Sequence, residues 1–430
     1  MQQCRTNNRW FLSWKTFRSI LVVPLLTLFT FPVASPPVLA QKDRPGERGH
    51  PAKTLYIWAG DQARKAPDFV AVINFDESSK DYGKIIRIAP VPTSGNEAHH
   101  MHLSADGNTL VSGGLLSLLK KQDGIFFFDV STPDLPKFLK SASAPHSAVT
   151  DDFYPLDGGG FLITQMGSNT GDAPGRLAEF DVNLNLVHEW PDSPPADGFN
   201  PHGISVRPEV NLMVTSDFVN PITTLVGFDP PVVRGSVRVW DLANRTIVRT
   251  IHIPGALGTM DVKLIPGDPQ KRAITAGMYD GRVYLVDTQA GTSKPIFDTA
   301  EIAGPGVTPL PQIQAMTHDG TRVIFPLLTT GQIVMMDISD PEKPFVLDVV
   351  NLGSAAQPHD IDLTEDDKRL IVTDYFLNED AFGVIHLEGD HQVHVLNVSR
   401  RNLVPDTRFK LDFNTAVPTG PARPHGMASK

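Results

Sequence analysis

Past Gln41 the chain shows no long stretch of apolar residues at helical spacing; it is built of short β-branched and aromatic runs broken by Asp-Gly and Asx-Pro turns. That alternation predicts an all-β protein. One element recurs, an apolar strand ending in an acidic residue or its amide: FVAVINF to Asp76, GIFFF to Asp129, GRLAEF to Asp181, GSVRVW to Asp241, GRVYLV to Asp287, GQIVMM to Asp337 and HQVHVL to Asn397. The seven copies stand 46 to 60 residues apart. Each is preceded by another short β run, such as residues 54–58, 108–114, 211–218 or 368–376, and followed by a further one, such as 84–90 or 246–253.

Six of the units also carry a first strand that leads into a turn such as Ser104-Ala105-Asp106-Gly107. The opening unit lacks one, and the final segment Pro421 to Met427 resembles a first strand with nothing after it. Both facts are explained by a seven-bladed β-propeller, residues 41–430, closed by the C-terminal strand completing the N-terminal blade. Closure of this kind leaves no open sheet edge between the first and last blades.

Aligning the first strands by their turns gives one repeat position occupied by His99, His146, His202, Met260, Gln312, His359 and His425. First strands line the channel of a propeller, so equivalent positions converge on its axis although they lie far apart in the chain. Imidazoles entering at one level can then approach one ion at roughly 2.0–2.1 Å without any local motif. The expected metal ligands are His99, His100, His146, His202, His359 and His425, with His102 read as structural and His386, His391 and His394 as solvent-facing. Glu97 and Asp360 are candidates to hold the second ring nitrogens. The long loops 217–235 and 378–390 are expected on the same face, where Phe218, Phe228, Tyr375 and Phe376 would give the entrance an apolar lining.

Composition narrows the chemistry. The formal charge of −10, from 38 basic and 48 acidic residues, argues against nucleic acid and against an anionic membrane surface as partners. Residues 1–40 read as a secretory signal: Arg5, Arg9, Lys15 and Arg18 precede an apolar run from Ile20 to Val33, and Val38-Leu39-Ala40 precedes the cut. A periplasmic or secreted protein without an integral membrane span is expected after cleavage. The one cysteine, Cys4, would leave with the signal, so any metal must be held by His, Met or oxygen donors. No P-loop, dinucleotide fingerprint, HExxH or Ser-His-Asp order suggests another chemistry.

The stretch from Pro67-Asp68-Phe69 through Glu97-Ala98-His99-His100, the Val239-Trp240-Asp241 word, the run Met336 to Pro341 and the closing Gly420-Pro421-Ala422-Arg423-Pro424-His425 together resemble the selenium-binding protein family, which includes methanethiol oxidases. The resemblance implies a propeller with a histidine-built copper site that oxidises methanethiol with dioxygen and water to formaldehyde, hydrogen sulfide and hydrogen peroxide. It matches His99, His100, His146 and His425 to family histidines, while His202 and His359 enrich the ring here. The family's selenium-associated cysteine has no counterpart beyond residue 40, so selenium binding through a thiol is not implied. Two other readings use the same parts: an iron-dependent oxygenase of the carotenoid-cleaving kind, which also sets four histidines around a propeller axis, and a non-catalytic propeller that holds metal or a protein partner.

Overall fold

The computed structural model describes residues 51–225, 231–374, 376–379 and 385–430, with backbone only at 376–379 and 385–388. The expected export segment, Phe228 and Tyr375 lie outside the described residues, as do the side chains of Phe376 and His386. Seven antiparallel sheets follow one another along the chain as the blades of a propeller. The first is completed from the far end: Ala422–Ser429 pairs with Thr54–Asp61, followed outward by Pro67–Asn74 and Ile85–Ser94. The expected C-terminal closure is therefore present. Blade 7 carries one addition, a hairpin of Phe376–Glu379 and Ile385–Glu388 between its second and third strands.

The near-continuous apolar strands have a simple cause: both faces of every blade are covered by its neighbours. In Pro67–Asn74, Phe69, Ala71 and Ile73 pack toward blade 7, whereas Val70 and Val72 pack toward blade 2. Such a cluster fills each of the seven seams between blades. Outer strands lose one covering face, and Lys137–Ala142 accordingly holds only exposed and half-buried positions.

The acidic residue that ends each recurring strand is a turn former. Asp76, Asp129, Asp287 and Asp337 each accept, through Oδ1, the backbone N–H two residues on; Asp181 and Asp241 do so from three or four residues on. These Asx turns send the chain into the outermost strand.

At the axis the first strands share a local irregularity. Pairing with the second strand slips between Ala98 and Met101, Thr150 and Phe153, Pro201 and Ile204, Thr259 and Val262, Pro358 and Asp360, and Pro424 and Met427. Each slip is a β-bulge, which re-aims side chains and strengthens the local twist. The residues inside the bulges are His99-His100, Asp151-Asp152, His202-Gly203, Met260-Asp261, His359 and His425-Gly426. Just beyond them, Met101, Phe153, Ile204, Val262, Ile361 and Met427 turn back into the seams.

Candidate metal centre

The bulges are held in place by recurring side chains on the neighbouring second strand. Thr164 Oγ1 donates to the carbonyl of His202 at 2.7 Å, Ser216 Oγ to that of Met260 at 2.7 Å and Thr373 Oγ1 to that of His425 at 2.6 Å. Carboxylates in the bulges tie successive blades together, with Asp152 Oδ2 accepting from the Ile204 N–H at 2.9 Å and Asp261 Oδ2 from the Gln314 N–H at 3.1 Å. Two bulges place glycine after histidine because no side chain fits there. A Cβ on Gly426 would lie 2.3 Å from the His99 carbonyl oxygen, and one on Gly203 would lie 2.4 Å from Asp261 Oδ1.

Four histidines from three blades converge on one point. His99, His100, His359 and His425 are all buried, and each offers a nitrogen within 4.8 Å of those of the others. His100 Nε2 and His359 Nε2 stand 3.4 Å apart. Two nitrogens bound to one ion at about 2.0–2.1 Å with tetrahedral angles are separated by roughly 3.3 Å, so this spacing fits a shared ion. The far nitrogen of His359 is fixed: its Nδ1–H donates to Gln312 Oε1 at 2.8 Å, and Gln312 is held in turn by Nε2 donating to the Leu310 carbonyl. Gln312 thus orients a ligand from the ring position that it shares.

Sequence alignment did not find the buried carboxylate at the centre of the site. Asp151, fully buried, faces three imidazoles: His99 Nε2 lies 3.0 Å from its Oδ2, and His100 Nδ1 and His202 Nδ1 lie 3.2 and 3.1 Å from its Oδ1. These contacts leave His99 Nδ1 and His100 Nε2 as the nitrogens directed away from the carboxylate. His146, expected at the corresponding place, is exposed, stands outside the bulge and uses its backbone N–H to reach Glu189. The structure corrects the register of this one blade. A signal for it exists in the sequence. Asp106, Asp319 and Asp366 in the turns each lie seven residues after the ring position, and the same count back from Asp157 falls at Thr150, beside Asp151. The Pro145-His146 word, similar to Pro201-His202 and Pro358-His359, pointed elsewhere.

The electrostatics favour neutral, metal-competent imidazoles. Burial, reinforced by His100, pushes His99 down to about 4; burial also holds His359 and His425 well below the usual histidine range and lowers His202. His100 is the exception. Burial opposes its charge, but Asp151, Asp360 and Asp152 outweigh burial and push it up to about 9. Asp151 stays ionised, well below the usual carboxylate range, because His202, His100 and His99 more than offset the cost of its burial. Asp152, Asp261 and Asp360 directly follow Asp151, Met260 and His359 in the chain, and Lys263 Nζ stands 3.3 Å from Asp261 Oδ1. Burial pushes the Asp360 carboxyl up to about 7.

The other candidates fall into place around the centre. Glu97 reaches Arg423 rather than a histidine, and His102 is exposed, with its Nδ1 against the Leu103 carbonyl. His391, expected in solvent, is buried against Asn414, while His394 meets Asp390. Phe218 stands edge-on to the His202 ring at 5.0 Å and stacks against Tyr279. It belongs to an apolar cluster with Leu116, Val149, Met166, Met260 and Met278.

Residues 37–430 match the family described as 56kDa selenium binding protein (SBP56). The chain belongs to that family. Among its relatives are a methanethiol oxidase of Ruegeria pomeroyi, 26% identical over 68% of this chain and 71% of that one, and selenium-binding protein 2 of Mus musculus, 22% identical over 68% and 67%. A solved structure of a hypothetical selenium-binding protein from Sulfolobus tokodaii superposes with a TM-score of 0.75, covering 89% of this chain and 94% of that one at 16% identity. For this member of the selenium-binding protein family, that likeness shows the fold, and the metal-capable group rests on its own side chains. Among the described residues no helix is long and apolar enough to cross a membrane.

Proposed function

We propose that the protein is an exported, copper-dependent thiol oxidase that converts methanethiol, dioxygen and water to formaldehyde, hydrogen sulfide and hydrogen peroxide. The observation that carries this reading is the four-histidine group on the axis, buried, largely uncharged and spaced for one ion. Relatives named methanethiol oxidase supply the substrate class. Copper suits an all-imidazole donor set, and when bound it would accept electrons from a soft thiol substrate and pass them to dioxygen. His99, His100, His359 and His425 would hold it, while Gln312 and Asp151 fix ring orientation from behind. Phe218, Met260 and the apolar cluster around them would exclude water and favour a small apolar thiol over a charged one. The absence of cysteine beyond residue 40 leaves no thiolate of the chain's own to compete for the ion.

The test starts from protein purified from Gln41. Elemental analysis, with copper reconstitution if the protein emerges empty, should find copper bound in proportion to folded chain. Methanethiol should then disappear with formation of hydrogen sulfide and hydrogen peroxide. Complete burial of His425 and His202 favours one second reading, an exported propeller that holds copper without turning over substrate. Bound copper with no thiol consumption would establish it, and iron in place of copper would move the chemistry toward dioxygen cleavage.

A further inference from the structure

The axis carries a second constellation that overlaps the four-histidine group at one residue. His99, Asp151 and His202 offer three ligand atoms within 4.8 Å of one another, all buried. His99 belongs to both groups, with its Nε2 on the Asp151 side. We propose that the centre is built for two metal ions, the second held by His99 Nε2, Asp151 and His202 beside the four-histidine position. The proposal rests on the reading of that position as a metal site.

Three observations converge on it. First, the spacings are compatible with one shared ion: His99 Nε2 lies 3.0 Å from Asp151 Oδ2 and His202 Nδ1 lies 3.1 Å from Asp151 Oδ1, hydrogen-bond lengths that a small widening takes to the roughly 3.3 Å edge of a tetrahedron with bonds near 2.0 Å. Second, Asp151 is a fully buried carboxylate whose ion-pair contacts among the described residues are all imidazoles, with no lysine or arginine. A buried carboxylate is stabilised by positive charge against it, and a divalent ion between Asp151 and the imidazoles of His99 and His202 would add to what the neighbouring His100 supplies. Third, the His202 ring is held edge-on by Phe218, and its backbone by Thr164, which fixes the imidazole before any ion arrives. Mixed carboxylate and imidazole donors also differ from the all-nitrogen set next door, so the two positions are chemically distinct. With both filled, His99 bridges them: its ring proton passes to solvent as the second metal–nitrogen bond forms, and no electron is transferred.

Copper(II) is loaded into the chain from Gln41, excess ion is removed by gel filtration, and metal is counted per folded chain, with electron paramagnetic resonance on the same samples. The wild type is expected to hold two ions with a magnetically coupled, weakened signal. His202→Ala and the milder His202→Asn should each hold one, with the full signal of an isolated copper. His359→Ala should also fall to one. One ion in the wild type, unchanged in both His202 variants, overturns the two-ion proposal and leaves Asp151 as a positioning residue. A count that falls in the His202 variants but not in His359→Ala would instead refute the four-histidine position. Circular dichroism melts on each variant confirm that the ions are counted on folded protein.

Discussion

Replacing Arg423 by Met should expose how ring closure and metal centre are joined. Arg423 lies on the closing strand two residues before His425, and its Nη2 meets Glu97 Oε2 at 3.1 Å; Glu97 lies two residues before His99. Both side chains are nearly inaccessible, at 3% and 1% exposure. Removing one partner of such a buried pair typically costs about 3–5 kcal/mol, because the survivor is left charged and dry. Arg64, whose Nε stands 3.8 Å from the same oxygen and which is 25% exposed, remains as a partial partner. The expected cost of Arg423→Met is therefore at the lower end, about 3 kcal/mol, or roughly two orders of magnitude in the folding equilibrium. Adding Glu97→Gln removes the stranded charge, so the double variant should be more stable than Arg423→Met alone. Urea unfolding of wild type, both single variants and the double variant yields the coupling energy, which should lie in the range of about 1–3 kcal/mol. Copper retention should fall in Arg423→Met, since His425 loses its anchor. A coupling near zero, or a double variant less stable than Arg423→Met, would refute the clamp.

Other consequences are equally direct. His425→Ala should lose most of the bound copper, whereas His146→Ala should keep all of it, because His146 is exposed and outside the group; metal analysis of the two separates structure from sequence alignment. Gly426→Ala drives a methyl into the His99 carbonyl oxygen and should cost about 1–3 kcal/mol while depleting the metal, read by thermal melts and elemental analysis. Metal-free protein should lose stability as pH falls. His99 binds its proton only near pH 4, and His359 and His425 are also held well below their usual value, whereas in the unfolded chain these imidazoles protonate near 6.5, the ordinary histidine value. The unfolded state thus takes up more protons across that window, so stability present above it drains away below, and urea midpoints should drop between pH 7 and pH 4.5. His100, pushed up to about 9, acts in the opposite sense, its contribution disappearing only as pH rises through that value. Asp360 and Asp68, raised to about 7 and about 6 by burial, also oppose the histidines in this window, so the test is differential: a pH slope left unchanged by His359→Asn and by His425→Asn would mean that the imidazoles are not desolvated as the structure shows.

Much of the architecture was legible because a propeller repeats its physics. Each blade needs two buried faces, hence Phe69-Val70-Ala71-Val72-Ile73 without a polar break, and each needs a turn former, hence the Asp at the end of the strand. The unpaired terminal segment told of closure in advance, since an inner strand with no outer ones must complete another blade. His99, His359 and His425 were readable for the same reason: a repeat position on an inner strand projects toward a common axis, whereas His100 was expected through the family resemblance and reaches the axis because the bulge takes in both histidines.

What the chain did not disclose is the bulge. Counting residues assumes a regular strand, and one extra residue in six of the inner strands changes which side chains face the channel. In blade 3 the Pro145-His146 word set the alignment five residues early, so an exposed imidazole stood in for Asp151, a buried carboxylate with three imidazoles around it. Gln312 as the orienting partner of His359, and Glu97 as the partner of Arg423 rather than of a histidine, likewise depend on distances across blades. Sequence by itself determined the blades, their number and the histidines that serve them, because those follow from local pattern and period. Only the tertiary structure decided which groups meet at the axis and in what charge state, because backbone register, desolvation and the approach of distant strands are properties of the closed ring.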